Sequence, residues 1–342
     1  MTPNVVLVTG VGGSLGGNLA ARLAANPAIE RVLGVDTAPP ASGVLGRAEF
    51  VRADIRNPVI AKVIASAKVD TVVHASTTVH PPGPARRTVL KELNVIGTMQ
   101  LLAACQRSST VRKLVVKSTA AVYGASSRSP AVFAEDDTPR DLPTSGYAKD
   151  AVEVEGYVRG FARRRPDVVV TTLRLTNLIG PRVDTVLTRY FALPVVPTVF
   201  GFDARVQLLH IDDALAVLDR AITRDLPGVF NAGGDGALML SQAIRRAGRL
   251  PMPLLRSAIP SMARLFRGTR LVNFSPDQVR FLNYGRMVDT TRLKTEFGFT
   301  PRWTTAEAFD DYVRGRGLRP LVDAGRLAGL ERRLQLTGTA QR

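Results

Sequence analysis

The first residues of the chain contain the pattern that most restricts its fold. The segment NVVLVTG, residues 4–10, is a short apolar run that ends at a glycine, as buried parallel strands do. The next segment, VGGSLGGNLAARLAANP, has apolar residues at helical spacing and stops at Pro27. A further apolar run, RVLGVD, ends at Asp36. This order of strand, glycine-rich turn, helix and strand predicts the first βαβ unit of a doubly wound sheet.

Three glycines, Gly10, Gly13 and Gly16, separate the first strand from the helix with the spacing TGxxGxxG. Such glycines let the backbone turn tightly and approach a pyrophosphate, whose charge then lies at the helix N-terminus. Asp36 follows Gly16 by about 20 residues, where a carboxylate accepts hydrogen bonds from ribose hydroxyls and repels a 2′-phosphate. The sequence therefore predicts a dinucleotide site that prefers NAD to NADP.

The alternation of strands and helices continues beyond this unit. AEFVRADI predicts a third strand that ends at Asp54, and VDTVVHAS predicts a fourth. ELNVIGTMQLLAACQ predicts a helix, and VRKLVVKST a fifth strand. We therefore expect an α/β fold, a Rossmann doubly wound parallel sheet with ligands at the carboxyl ends of its strands.

Composition indicates the class of protein and its cellular location. Its 342 residues are 45% hydrophobic and 22% charged, which is ordinary for a soluble globular protein. MTPNVVLVTG has no basic region, and no apolar run is long enough for a membrane span, so we expect neither a secretory signal nor a span. The single cysteine, Cys105, lies in the apolar run LLAACQ, so we expect it in the core. A lone cysteine fits a reducing, cytoplasmic location.

The net charge of +17 favours anionic partners: nucleotides, phosphorylated sugars, acidic lipid or nucleic acid. Charge alone does not choose among them. The basic stretch RGFARRRPD, residues 159–167, lacks interleaved aromatic residues and indicates a solvated helix end. We therefore expect no specific nucleic-acid partner.

Several motifs, spread from about residue 4 to 313, resemble those of one family. They are TGVGGSLG, VDTVVHAS, NVIGTMQLL, KSTAAVYG, LRLTNLIGP, LLHIDDALAVL, GVFNAGGDG and DTTRLKTEFGFTPRWTTAEAF. The chain resembles the extended short-chain dehydrogenase/reductases, the NAD-dependent epimerase/dehydratase group that acts largely on nucleotide sugars. The resemblance implies an NAD-binding Rossmann domain over residues 1–178, with sheet contributions from about 205–232. It also implies an interleaved, smaller C-terminal substrate domain over residues 179–330.

The resemblance also assigns ligand-binding residues and an assembly. The NAD site would be lined by Gly10, Gly13, Gly16, Asp36, Asp54, Ile55, Ala75 and Asn94. Members of the family commonly dimerise through two helices from each subunit. Here these helices would span about residues 92–107 and 147–163.

The family's chemistry needs a Ser or Thr hydroxyl, a tyrosine that moves a proton, and a lysine four residues after that tyrosine. Thr119 in KSTAAVYG and Tyr147 in TSGYAKDAVE match the first two, whereas residue 151 is alanine. Lys149 follows Tyr147 by two residues, which places it about 200° around a helix from the tyrosine. We therefore expect Lys149 to point away from the site.

The missing lysine has a calculable cost. An unassisted tyrosine has a pKa near 10, so at pH 7 about one in a thousand is phenolate. Losing a cation that lowers this pKa by two to three units would reduce the base population by about 10²- to 10³-fold. The register is secure, because the acid that usually follows the tyrosine by eight residues is present as Glu155.

The substrate motifs are also incomplete. By resemblance, Asn177 in LRLTNLIGP keeps the position that contacts a substrate phosphate. Many members carry a diphosphate-binding arginine four residues before the histidine of HIDD, but that position here is Val206. Arg205, a candidate substrate-binding residue, is one position off, and a shift of one residue on a strand turns a side chain to the opposite face.

No metal site is expected from the histidines. His210 and Asp212 could form a metal or acid–base pair, but we favour packing and capping of a helix. His74 and His80 flank an irregular loop without any spacing typical of a metal site.

One segment, residues 236–276, contains no acidic residue but many arginines, at 245, 246, 249, 256, 264, 267 and 270. It predicts either a substrate-domain helix whose arginines face a phosphorylated ligand or water, or a basic surface that lies on an anionic membrane.

Two functions stay open at this point. As an enzyme, the chain would use Thr119 to polarise a substrate oxygen and Tyr147 to transfer its proton. Hydride would pass between a sugar-like carbon and nicotinamide in an epimerisation or an oxidation–reduction. As a catalytically lapsed protein, it would keep NAD and act by sensing, scaffolding or contact with a membrane surface. Thr119 and Tyr147 favour the enzyme, whereas Ala151 and Val206 favour the lapsed protein.

Overall fold

A computed structural model gives the structure of residues 3–76, 87–138, 141–143, 146–255 and 276–321. Within them the strands are β1 (Val5–Thr9), β2 (Arg31–Asp36), β3 (Glu49–Arg52), β4 (Thr71–His74), β5 (Lys113–Thr119), β6 (Val169–Leu175), β7 (Asn177–Ile179), β8 (Val195–Val199), β9 (Arg205–Val206), β10 (Leu208–His210), β11 (Gly228–Ala232), β12 (Leu238–Met239) and β13 (Leu250–Leu254).

The helices of the same residues are α1 (Ser14–Ala24), α2 (Val59–Ser66), α3 (Arg87–Lys91), α4 (Gly97–Arg107), α5 (Gly146–Arg164), α6 (Val186–Ala192), α7 (Ile211–Thr223), α8 (Leu240–Arg246), α9 (Pro276–Tyr284), α10 (Thr291–Thr295) and α11 (Thr305–Gly315). A π-helical turn, Glu92–Ile96, joins α3 to α4. A 3₁₀ turn, Ala120–Tyr123, follows β5.

Seven parallel strands form the main sheet in the order β11–β6–β5–β4–β1–β2–β3. The order reverses between β1 and β4, where the carboxyl ends of the strands open a crevice for a ligand. Val6, Leu7 and Val8 of β1 are fully buried, because α1 and α7 cover one face and α2, α4 and α5 the other. The predicted α/β Rossmann architecture is confirmed.

Two element boundaries differ from the sequence-based expectation. β3 ends at Arg52 rather than at Asp54, because Asp54 leaves the strand to hold the next turn. Its carboxylate accepts hydrogen bonds from the backbone N–H of Arg56 at 2.9 Å and from the guanidinium of the same residue. The helix expected from residue 92 is preceded by α3 and begins with the π turn.

A second apolar core lies beyond the sheet. It consists of side chains from α6, α8, α9, α11 and the short strands around them, with Tyr190, Phe191 and Phe309 at its centre. After β6, the chain contributes α6 to this second core. It then returns to the main sheet with α7 and β11, and α8 and α9 pack in the second core again. The interleaved pair of domains and their boundary at residue 178 stay predictions.

A buried polar network fixes α5 against the sheet. Glu155 of α5 accepts a two-pronged ion pair from Arg174 of β6, with N–O distances of 3.0 and 2.7 Å. Ser118 of β5 donates to the same carboxylate at 2.5 Å. Arg174 also donates to the Tyr123 hydroxyl at 2.7 Å, and Tyr123 donates to Asn231 of β11 at 2.8 Å. The network therefore joins α5 to β5, β6, β11 and the 3₁₀ turn.

Two further expectations concern single side chains. Cys105 is fully buried, and burial raises the pKa of its thiol to about 12, so it is an inert core residue as predicted. His210 caps α7, since its Nδ1 accepts the Asp212 backbone N–H at 3.2 Å. Its ring stacks on Trp303 with 4.4 Å between centroids. The packing and capping role of His210 is thus confirmed.

Among the residues of known placement, no group of three or more His, Cys, Asp or Glu side chains could hold a metal ion. No helix in those ranges is long and apolar enough to cross a membrane.

Candidate functional site

The turn between β1 and α1 is built for close backbone packing. Gly10 has φ +77°, and a Cβ there would lie 2.7 Å from the Cα of Ser76. A Cβ on Gly16 would lie 2.3 Å from the carbonyl oxygen of Gly10. Gly13 is the N-cap of α1 and has no side chain to satisfy the first N–H groups of the helix. The turn therefore fits a pyrophosphate at this helix N-terminus.

Asp36 lies beside the same turn. Its Oδ2 accepts the backbone N–H of Gly12 at 2.9 Å, and its Oδ1 accepts that of Thr37 at 2.7 Å. The carboxylate is thus held at the carboxyl end of β2, next to the glycines. Ionised carboxylates accept several hydrogen bonds each, so Asp36 retains capacity for ribose hydroxyls.

The remaining residues expected in the NAD site lie along the same edge of the sheet. The hydrogen bond from Arg56 keeps the pKa of the Asp54 carboxyl below its usual range. Ile55 is buried under α4, where a Cβ on Gly97 would come within 2.8 Å of it. Ala75 follows β4 and is half-buried, and Asn94 is buried in the π turn. Their roles toward NAD stay predictions.

A buried chain of hydrogen bonds connects β1 to the π turn through a histidine. Thr9 Oγ1 lies 3.0 Å from His74 Nδ1, and His74 Nε2 lies 2.8 Å from Thr98 Oγ1. The Thr98 hydroxyl donates to the Asn94 carbonyl at 2.5 Å, so it accepts from His74 Nε2–H. Burial, and then the charge of Lys117, lowers the pKa of His74 to about 4, which keeps the ring neutral. No spacing in the sequence indicates this role of His74, because Thr9 and Thr98 lie on distant segments.

The turn that follows Thr119 packs against α5, the helix that carries Tyr147. Thr119 ends β5, and its Oγ1 accepts the N–H of Ala121 at 3.2 Å. The 3₁₀ turn that follows packs its apolar side chains against Ala151 of α5. Because Tyr147 precedes Ala151 by four residues, it shares that face of the helix. Tyr147 is half-buried. Its position beside Thr119 stays a prediction.

The lysine expected at position 151 has no counterpart on this face of α5. Ala151 is 3% exposed and belongs to the small apolar cluster around Val122 and Tyr123. The Lys149 side chain is 46% exposed and lies 4.0 Å from Glu153. The structure thus agrees with the expectation that Lys149 points away from the site. A different lysine, Lys117, lies two residues before Thr119 on the same face of β5, and sequence analysis did not consider it.

The two residues predicted to bind substrate lie on separate short strands. Asn177 is half-buried at the start of β7. On β9, Val206 is fully buried in the second core and Arg205 is exposed. The two residues face in opposite directions, as their adjacent positions on a strand predict. The segment Gly285–Arg286 lies against this strand, with the Arg286 N–H donating to the Arg205 carbonyl at 3.1 Å. Binding by Asn177 and Arg205 stays a prediction.

The sequence profile of the NAD dependent epimerase/dehydratase family matches residues 6–233, which is more than half of the chain. The chain belongs to this family. Its predicted cofactor, NAD, is the one that the family description names.

Relatives of this epimerase/dehydratase-family protein occur in mycobacteria. An uncharacterized protein of Mycobacterium tuberculosis (strain ATCC 25618 / H37Rv) is 53% identical over 343 residues, which cover 99% of this chain and 91% of the relative. A second uncharacterized protein of the same strain is 28% identical over 336 residues and matches 95% of this chain but 32% of its own length.

Several solved structures share the fold. MoeE5 in complex with UDP-glucuronic acid and NAD superposes with a TM-score of 0.71 at 22% identity, covering 91% of this chain and 98% of that chain. UDP-glucuronic acid 4-epimerase from Bacillus cereus, with UDP-glucuronic acid and NAD, gives 0.69 at 22% identity over 91% and 99%. dTDP-glucose 4,6-dehydratase from Bacillus anthracis, in complex with NAD, gives 0.69 at 18% identity over 92% and 96%.

Part of the acid-free segment falls outside the described residues. Residues 236–255 form β12, α8 and β13, whereas Arg256, Arg264, Arg267 and Arg270 lie outside the ranges with known placement, as does His80. Both alternatives for this segment, a substrate-domain helix and a membrane-binding surface, therefore stay predictions, as does the cytoplasmic location.

Proposed function

We propose that this family member binds NAD and a nucleotide sugar at the carboxyl edge of its sheet and transfers hydride between them without a lysine beside its tyrosine. The observation that carries the proposal is the packing of the Thr119 turn against the face of α5 that holds Tyr147. These are the two groups that must hold a substrate oxygen and move its proton.

NAD fits the residues at the glycine turn. Gly10 and Gly16 allow the turn to pack tightly, since a Cβ on either would clash with Ser76 or with the Gly10 carbonyl. Gly13 leaves the first turn of α1 open to a pyrophosphate. Asp36 would accept the ribose hydroxyls. NAD, when bound, takes up a hydride from a substrate carbon or returns it.

The residues of the chain would handle the substrate hydroxyl. Thr119 Oγ1 already accepts the Ala121 N–H, so its own hydroxyl proton can be donated to a substrate oxygen. Tyr147 would then exchange the substrate proton as general acid or base. With alanine at residue 151, no cation on this face of α5 favours the phenolate, so proton transfer should limit turnover at neutral pH.

A nucleotide sugar is the substrate class that the comparisons support best. MoeE5 and the Bacillus cereus epimerase were both solved with UDP-glucuronic acid, and a net charge of +17 favours anionic substrates. The test is to mix the purified protein with NAD and a panel of nucleotide sugars and to follow NADH formation and sugar isomerisation. Tyr147→Phe serves as the blank. No turnover above this blank with any sugar, at any pH up to 10, would remove the catalytic part of the proposal.

The second candidate is a catalytically lapsed protein that keeps NAD as a structural or sensing ligand. It is favoured by Ala151, which is built into an apolar cluster, and by Val206, which is fully buried where a diphosphate-binding arginine was expected. The two candidates differ in one result, because the lapsed protein binds NAD in calorimetry and turns over no sugar.

NAD should bind at least 10-fold more tightly than NADP, because the Asp36 carboxylate repels a 2′-phosphate. We expect Asp36→Asn to narrow this gap, since the amide keeps an acceptor for the Gly12 N–H but loses the charge. Calorimetry with both cofactors measures the change. Equal wild-type affinities for NAD and NADP would contradict the assignment of Asp36.

We propose a homodimer through the helices of residues 92–107 and 147–163. Large apolar side chains are exposed on these helices, with Ile96 41%, Met99 39% and Tyr157 40% accessible. Met99→Glu combined with Tyr157→Glu should convert the dimer to a monomer in sedimentation equilibrium. Val195→Glu, an equally exposed residue of β8, is the matched control and should leave the dimer intact. A wild-type monomer at micromolar concentration would contradict the proposal.

A further inference from the structure

Arg286 is held beside β9 by the hydrogen bonding of its own backbone. Gly285, with φ +71°, allows the chain to lie against β9, since a Cβ there would come within 2.3 Å of the Arg205 carbonyl oxygen. Arg286 then pairs with Val206 as an isolated parallel bridge. The arginine is thus placed beside the residue that fills the position where the resemblance predicted a cation.

The side chain of Arg286 reaches the loops of the candidate catalytic residues. Its Nε donates to the carbonyl of Gly124 at 2.7 Å, and Gly124 ends the turn that begins at Thr119. Asp277, which attracts the guanidinium, would be 2.8 Å from a Cβ on Gly146, the residue before Tyr147. Arg286 therefore bridges the second core and the Thr119–Tyr147 site.

The guanidinium has donors left for a ligand. Within the ranges of known placement, its only side-chain hydrogen bond is the one from Nε to Gly124, so the terminal nitrogens keep their N–H groups. Its Cζ lies 5.4 Å from the centroid of the Phe281 ring. Burial lowers the pKa of Arg286 to about 10, and the attraction of Asp277 offsets only part of this effect. Arg286 is half-buried, and a nearby anion favours the charged form of a cation that is partly removed from water.

We propose that Arg286 binds anionic oxygens of the substrate between β9 and the turn that begins at Thr119. It would thereby replace the diphosphate-binding arginine that many members carry at the position of Val206. The planar guanidinium suits two-pronged recognition of a phosphate or a carboxylate. The anion would come either from the diphosphate of a nucleotide sugar or from the carboxylate of a uronate. This inference rests on the proposed function for the identity of the substrate, but not for the presence of an anion site.

The first experiment needs no sugar substrate. Protein saturated with NAD, which occupies the glycine turn, is titrated with inorganic pyrophosphate, and the unfolding temperature is measured. We expect pyrophosphate to stabilise the wild type, Arg286→Met to lose most of this stabilisation, and Arg286→Lys to keep part of it. Arg245→Met, which removes an exposed arginine of α8, is the matched control and should behave like the wild type. Equal stabilisation of the wild type and of Arg286→Lys and Arg286→Met would overturn the inference.

The second experiment identifies the source of the anion. Calorimetry with UDP, UDP-glucose and UDP-glucuronic acid should show affinity losses of about 10- to 100-fold in Arg286→Met, the size expected for a hydrogen bond to a charged group. An equal loss for all three ligands assigns Arg286 to the diphosphate, and a loss confined to UDP-glucuronic acid assigns it to the carboxylate. Unchanged affinity for all three would refute both assignments. If no nucleotide sugar binds the wild type while pyrophosphate still depends on Arg286, the proposed function fails and the anion site stands.

Discussion

Replacing Arg174 with methionine should lower the free energy of unfolding by about 3–5 kcal/mol. Arg174 and Glu155 are at most 10% exposed, and the substitution leaves the buried Glu155 carboxylate with only the exposed Arg159 as an ion-pair partner. The Ser118 hydroxyl would still donate to that carboxylate, but one neutral donor does not replace a two-pronged guanidinium. Urea unfolding followed by circular dichroism measures the change.

Two further variants distinguish the stability lost with the buried ion pair from the stability lost with any positive charge near Glu155. Arg159→Met removes an arginine that is 59% exposed and lies 3.7 Å from the same carboxylate, so it should cost less than about 1 kcal/mol. Arg174→Met combined with Glu155→Leu removes both charges and should recover most of the lost stability. A loss from Arg174→Met that is no larger than that from Arg159→Met would show that the network contributes little.

Restoring a lysine with Ala151→Lys should raise the turnover at pH 7 by about 10²-fold, provided that a sugar substrate is found. The new cation would lie one helical turn from Tyr147, on the face that packs beside Thr119, and would favour the phenolate. Wild-type activity should rise steadily towards alkaline pH, and the variant should reach its maximum at lower pH. Steady-state rates over a pH series test both expectations.

The controls follow from the surroundings of the two positions. Residue 151 is buried, so the variant's unfolding temperature must be measured with its rate, and a fall in stability alone would not raise turnover. Lys149→Ala removes an exposed lysine near Glu153 and should leave the rate unchanged. Strong wild-type activity at pH 7 that disappears in Lys149→Ala would refute the proposed arrangement of α5.

The sequence predicts the parts of this protein that depend on local pattern. The strand that ends at Gly10, the spacing to Gly16 and the acid at Asp36 are readable because each requires neighbours only a few residues away. The helical face shared by Tyr147 and Ala151 follows from helix periodicity alone. For the same reason, the outward direction of Lys149 was predictable without coordinates.

Contacts between distant parts of the chain were not predictable in this way. Arg286 and the carbonyl of Gly124 are 162 residues apart, and no spacing rule relates them. His74 resembles a potential ligand in the sequence, but Thr9 and Thr98 on separate elements give it a structural role. The sequence AEFVRADI predicts a strand that reaches Asp54. In the structure β3 ends at Arg52, and the Asp54 side chain accepts a hydrogen bond from Arg56 in the turn that follows.

The ion pair of Glu155 also limits the conformations that α5 can sample. Lys149 could approach the substrate only if the helix turned about its axis by about 160–200°. Such a rotation would withdraw Glu155 from Arg174, and breaking that pair costs about 3–5 kcal/mol. A rotated helix would then be populated in fewer than about one molecule in a hundred. Any turnover that used Lys149 would occur only in this rotated state and would be slower by the same factor. A transient rotation of α5 therefore cannot restore the activity that is lost with alanine at residue 151.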